Sequence, residues 1–252
     1  MEHGDFEKVV ATSWEEWILG NPISVLMLKL KRLKGVLRNW GREAFPNFNK
    51  APEEAKERLA QVQQTIEING LDDHLLKNSI RSLKKPDGTL VEGQDQIGNY
   101  TVNSFKKFYK AEPLVEHMEL LDSIPVVLHQ GDRYVLDALP GNEEIKRAVW
   151  DLDPDSSPGP DGFFGAFFRR CWSTVELEVC NAVKHFFSTS QLPNGVNNNF
   201  LVLIPKEEGA SSLDKFRPLC MGNFYCKILS KIMAMRLDKL LPRLISEEHG
   251  AF

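Results

Sequence analysis

Two cations flanking one turn are the residues best placed to do chemistry in this sequence. Residues 200–223, FLVLIPKEEGASSLDKFRPLCMGN, form an apolar run ending at Pro205-Lys206, an acidic small-residue turn, and a second short run that delivers Arg217 just before Pro218. Two extended arms joined by a polar loop of this length predict a hairpin. If it presents Lys206 and Arg217 on one side it would suit phosphate, because a guanidinium forks onto two oxygens while an ammonium acts as a point charge.

A second candidate is residues 151–163, DLDPDSSPGPDGF, where three prolines and two glycines force a turn-rich loop. Its aspartates invite a calcium reading, and that reading fails on spacing. A calcium loop opening at Asp151 needs glycine at its sixth position and glutamate at its twelfth, where Ser156 and Gly162 stand. The loop also lacks the Lys-Ser/Thr ending of a phosphate-cradling P-loop. Cys171, Cys180, Cys220 and Cys226 lie singly with no CxxC pair, so they read as reduced thiols rather than zinc ligands.

The elements that must position these residues follow from periodicity. Leu26, Leu30, Leu33 and Leu37 recur at steps of three and four and predict a helix over 24–40, ended by Gly41 and the region of Pro46. Six cations from Lys29 to Arg42, with no acid among them, fill the other faces of this stretch, a pattern that belongs more often to a solvated helix face than to a binding strip. A second helix is predicted after Pro52, with Leu59, Val62 and Ile66 as its stripe. Pro86-Asp87-Gly88 predicts a small hairpin, followed by a helix over 95–109 with Ile97, Val102, Phe105 and Phe108 in its core. Residues 112–140 hold no period and read as a linker punctuated by prolines. Asn142 should cap a short helix that buries Ile145, Ala148 and Val149. Two aromatic-rich helices follow over 164–188, and a last long helix over 224–244 carries Lys227 and Lys231 one turn apart.

Composition limits the class. With 252 residues, 42% hydrophobic and 26% charged, the chain can bury a sizeable core, and it has neither a secretory leader nor an apolar run of bilayer length. An intracellular protein of nucleus or cytoplasm, with no membrane partner, is the expectation. The net charge of -4 is unevenly spread: residues 215–243 hold seven cations against Asp238 alone.

Several motifs occur in one order: SSPGPDGF at 156–163, FFRRCW at 167–172, a Leu-Pro, Gly, Asn and Asn-Phe series across 192–200, LIPK at 203–206, KFRPL at 215–219 with Asn223 after it, KILSKIMAMRL at 227–237, and ISEEHGAF at 245–252. From about residue 140 onward the chain resembles the amino-terminal part of the reverse transcriptase of plant-type LINE (non-LTR) retrotransposons. Upstream, SWEEWILGNP and KLKRLKGVLRNW resemble the connector that follows the endonuclease of these polyproteins, and RSLKKPDGTLVEGQDQIGNYTVNSFKKFY resembles the segment before the polymerase. The direct passage from GLDDHLL to KNSIRSL, where the family carries a further block, implies a deletion near Leu76 and Lys77.

The resemblance implies a helix-rich α+β fold: a helical connector over 1–76, a hairpin-plus-helix segment over 77–125, and, over 126–252, the fingers and start of the palm of a right-hand polymerase containing short antiparallel hairpins. It implies that Lys206 and Arg217 approach the phosphates of an incoming deoxynucleotide and the template, and that Ser157, Pro158, Gly159, Pro160, Asp161 and Gly162 form a loop near the template path. Lys227 and Lys231 match a fingers-to-palm helix, where backbone contact and a solvated face are both open. RNA template and DNA primer are the implied partners. The palm aspartates that would hold magnesium in the full-length enzyme are not among these residues, and the adjacent acids Asp72-Asp73 follow no Tyr-x-Asp-Asp turn. The expectation is a fragment, truncated before the palm, that binds template and nucleotide without catalysis and needs no cofactor itself. A non-catalytic nucleic-acid-binding module and a non-functional pseudogene product are the alternatives.

Overall fold

The computed structural model describes residues 3–45, 80–110, 119, 122 and 125–245. It is a helix-rich α+β protein with two short hairpins. The chain divides into two compact units: one comprises Met1–Ala44, Glu119–Phe200 and Cys220–Phe252, the other Phe45–Met118 and Leu201–Leu219.

The first unit is built on α1 (Phe6–Glu15) and α2 (Pro22–Ala44). Ile23, Leu26, Leu30 and Leu33 of α2 are fully buried, and Leu37 packs half-buried at the edge of the same cluster. The leucine stripe is therefore the core face, as the spacing predicts. Two features depart from expectation. Gly41 does not end the helix, which runs to Ala44. One interior glycine costs only about 1 kcal/mol, and Trp40 is held by an edge contact to His3 and a tilted ring contact to Phe6. Lys29, expected on a solvated face, is buried: its ammonium donates to the Trp14 carbonyl at 2.8 Å and pairs with the Glu178 carboxylate.

Further along, α4 (Gln130–Asp137) occupies part of the stretch expected to be a linker. Its start is closed by Asp132, whose carboxylate accepts the His129 N–H at 2.9 Å, and its last turn by Arg236, which donates to the Leu136 and Ala138 carbonyls at 3.0 and 2.6 Å. The helix exists because a residue about a hundred positions later satisfies it. Then come α5 (Asn142–Asp151), α6 (Gly165–Arg170) and α7 (Trp172–Thr189). Ile145, Ala148 and Val149 are buried as predicted, but Gly141 holds the cap position, and the Asn142 side chain instead accepts from Lys184 at 2.6 Å. Phe167, Phe168 and Trp172 are core residues. The last helices are α8 (Phe224–Asp238) and α9 (Leu241–Leu244).

In the second unit β1 (Ser82–Lys84) pairs antiparallel with β2 (Leu90–Glu92), with Leu83 opposite Val91. Gly88 supplies the positive φ of 87° that the turn requires. In α3 (Gln94–Phe108) only Ile97 and Thr101 are buried, while Val102 and Phe108 stand 47% and 77% exposed. Among the described residues, the cluster that α3 joins comprises Leu83, Val91, Ile97 and Phe216, with Tyr100, Leu203 and Leu213 beside them. The predicted helix after Pro52 and the junction at Leu76 and Lys77 lie outside the described residues.

Candidate nucleic-acid interface

The hairpin predicted over 200–223 is present as β3 (Asn199–Pro205) and β4 (Phe216–Gly222), hydrogen-bonded neighbours in their own sheet. Its tip, with Lys206 and Arg217, belongs to the second unit, whereas Cys220 to Gly222 belong to the first. The Lys206 N–H donates to the Lys215 carbonyl at 2.9 Å. Lys206 lies just past the end of β3, and Arg217 is the second residue of β4. The cations of the tip differ in their freedom. Lys215 is paired with Glu207 at 2.6 Å, which raises its pKa further above the ordinary range. Lys206 donates its ammonium to the Asp214 carbonyl at 2.7 Å. Arg217 is exposed and makes no ion pair with any described residue.

In the first unit the proline-glycine loop, Lys227 and Asn223 form one assembly. Asn223 is buried at the head of α8. Its side-chain oxygen accepts the Asp161 N–H at 3.0 Å, its amide donates to the Val196 carbonyl at 3.0 Å, and its own carbonyl accepts the Cys226 N–H at 2.9 Å. Gly159 lies against this point: a Cβ there would fall 2.4 Å from the Asn223 nitrogen and 2.5 Å from the Gly222 carbonyl carbon. Glycine is required because backbone meets backbone. Lys227 donates to the Ser156 hydroxyl and, at 2.7 Å, to the Ser157 carbonyl, and Lys34 of α2 donates to the Pro160 carbonyl at 3.0 Å. Both lysines thus clamp the loop, and Pro158 and Gly162 complete its path.

Asp161 is the loop's inward carboxyl. One oxygen accepts the Phe163 N–H at 3.1 Å, and the other is buried without a partner. Burial raises its pKa above the usual aspartate range, opposed by that hydrogen bond and by Lys34. Burial, with Asp161 nearby, pushes the Cys226 thiol up to about 11. A divalent ion does not fit here, since Asp161 stands alone between two lysines, and no group of three or more His, Cys, Asp or Glu side chains among the described residues could hold one. Cys171 and Cys180 are buried and Cys220 is exposed.

Lys231 has a different setting. It is half-buried on α8 in a cleft of about 440 Å³ shared with Asn197, Asn199, Cys220, Gly222, Lys227 and Ser230. No described residue is recorded as its partner in a hydrogen bond or ion pair. The cleft thus offers one ammonium, two carboxamides and a hydroxyl, donors and acceptors that suit a phosphate with a base or sugar beside it. The arrangement brings the loop and Lys227 together, leaves Lys231 facing the cleft, and keeps Lys206 and Arg217 on the hairpin tip. Asn223 carries no local signal beyond its place before a helix. Gly159 had one, since a glycine between two prolines in a rigid turn marks a close approach.

The chain is similar to proteins of mobile elements. It is 25% identical over 176 residues to the Transposon TX1 uncharacterized 149 kDa protein of Xenopus laevis, a stretch covering 69% of this chain and 13% of that protein. It is 29% identical over 113 residues to the Retrovirus-related Pol polyprotein from type-1 retrotransposable element R1 of Bradysia coprophila, covering 44% and 11%. The chain therefore matches only about an eighth of the length of these relatives, which support a retrotransposon origin. No protein-family profile matches it. Among the described residues no helix is long and apolar enough to cross a membrane.

Proposed function

We propose that the chain is the fingers-side portion of a LINE-type RNA-directed DNA polymerase, gripping RNA template and nucleotide phosphate through Arg217 and Lys206 on the hairpin tip and, as a separate anion site, through Lys231 in the α8 cleft. The observation that carries this reading is the contrast among the cations. Lys29, Lys34, Lys215 and Lys227 are each bonded within the protein, and Lys206 holds the Asp214 carbonyl through one hydrogen bond that leaves the other N–H groups of its ammonium for a phosphate. Arg217 and Lys231 are left available to an outside anion. Lys227 acts indirectly by holding the 156–162 loop, and Asn223 fixes that loop to the head of the helix that bears Lys231.

The reading assigns no bond-making step to these residues, because Asp161 is too enclosed by lysines to hold the metal ions that such a step uses. RNA, a DNA primer strand and a deoxynucleotide are the ligands. The test is binding of a labelled single-stranded RNA followed by fluorescence anisotropy across a salt series. Affinity should fall steeply with salt, and Arg217→Ala and Lys231→Ala should each weaken binding and shrink the salt slope by about one. Arg217→Lys should recover only part of the loss, because an ammonium cannot fork onto two oxygens. Binding indifferent to salt and to both substitutions would refute the grip, and primer extension by the 252-residue chain would refute the division of labour.

A further inference from the structure

We propose that the loop joining α1 to α2 docks a protein segment presenting an aliphatic side chain beside a lysine or arginine. Trp17 and Leu19 on this loop are 78% and 79% exposed, and Leu177 of α7 is 68% exposed. Trp17 and Leu177, with Ile18, Pro22 and Val25, line a cleft of about 310 Å³. The α1–α2 connection is held at its two ends. Arg32 donates to the Ser13 carbonyl and pairs with the Glu16 carboxylate at 2.8 Å. Lys29 donates to the Trp14 carbonyl, and the Asn21 side chain accepts the Ser24 N–H at 2.9 Å at the start of α2. A partner therefore meets an exposed aromatic side chain on a connection fixed at both ends, the kind of residue that can dominate binding.

Charge selects the partner. Two carboxylates, Glu15 and Glu178, line the cleft, and Lys29 is the only cation among the described residues that line it. Glu178 is satisfied by Lys29 and by the Trp14 indole N–H at 2.8 Å. Glu15 is exposed and pairs with no described residue. Single-stranded nucleic acid also stacks on exposed aromatics, but here it would bring phosphates against that carboxylate. A partner's lysine or arginine instead sits between the Glu15 carboxylate and the Trp17 face, while the neighbouring aliphatic side chain fills the cleft against Val25 and Leu177. The site shares no residue with the proposed RNA grip, so either can fail alone.

The test uses a fluorescently labelled leucine-lysine peptide, a matched leucine-glutamate peptide and an oligouridylate, each titrated into the full chain and its variants by anisotropy. The substituted side chains are exposed, so circular dichroism should be unchanged in every variant. The leucine-lysine peptide should bind, Trp17→Ala should weaken it by about 30-fold, and Glu15→Gln by about two- to fivefold with a flatter salt dependence. The leucine-glutamate peptide should not bind. Equal binding by Trp17→Ala, binding of the acidic peptide, or oligouridylate binding that falls on Trp17→Ala would each overturn the proposal.

Discussion

Gly159 has no room for a side chain, and Gly35 has nothing within 4 Å of where one would go. The same substitution should therefore act in opposite directions. Gly159→Ala forces backbone away from the Asn223 nitrogen and should destabilise by about 2–3 kcal/mol or more, whereas Gly35→Ala, inside α2, should stabilise by roughly 0.5–1 kcal/mol; urea unfolding of both variants distinguishes the two. Asp161 gives a pH-dependent case. Its folded pKa is raised by burial, so its contribution to stability is complete below the ordinary aspartate range and lost as pH rises through the folded value. Asp161→Asn keeps an oxygen for the Phe163 N–H and no longer has to bury a charge. It should melt higher than the parent at neutral pH, and that advantage should vanish in acid. An unchanged difference across the pH series would contradict the assignment.

At the scale of elements, α4 and α8 are joined through one guanidinium. Arg236 is 6% exposed, donates to the end of α4, and grips the Glu144 carboxylate of α5 at 2.8 and 2.9 Å. Hydrogen bonding from Arg236 is the largest influence holding the Glu144 pKa below the usual glutamate range, with burial opposing it. A carboxyl with a depressed folded pKa contributes stability above its unfolded value, and that stability is lost as pH falls through the folded one. Glu144→Gln should consequently lower the melting temperature at neutral pH, with the deficit closing at acid pH. That is the reverse of the Asp161→Asn profile, so the pair is best measured together. The β3–β4 hairpin shows the converse economy. Val202, Ile204 and Leu219 are each more than 40% exposed, while Phe216 is buried in the second unit's cluster, so one face of the hairpin tip packs into that unit and Arg217 is left exposed.

At the scale of the whole molecule, the two units differ in the buried apolar clusters that their described residues form. Among the described residues, the first unit's cluster draws buried residues from α1, α2 and α5 to α8, and the second comprises Leu83, Val91, Ile97 and Phe216. Opening free energy scales with such burial. Hydrogen exchange followed by mass spectrometry should find the amides of α7 and the first turns of α8 the slowest, and those of β1 and β2 markedly faster. Equal protection would mean that the small cluster opens only with the large one. The net charge of -4 conceals the cation-rich stretch at 215–243, and the structure divides that stretch into bonded and available members.

What the sequence by itself determined is what nearest neighbours along the chain decide. The leucine stripe of α2, the Pro86-Asp87-Gly88 turn, the hairpin at 199–222 and the helix that buries Ile145, Ala148 and Val149 all follow from periods and turn residues within a dozen positions. Tertiary structure decided which polar groups are spoken for. Lys29 is buried because Glu178 lies opposite, α4 forms because Arg236 completes it, Lys227 serves the 156–162 loop while Lys231, one turn later, faces a cleft, and Asn223 matters through Asp161 and Val196. In each case the partner is remote in sequence, and a charge's role depends on which remote group comes within hydrogen-bond reach, which no local pattern encodes.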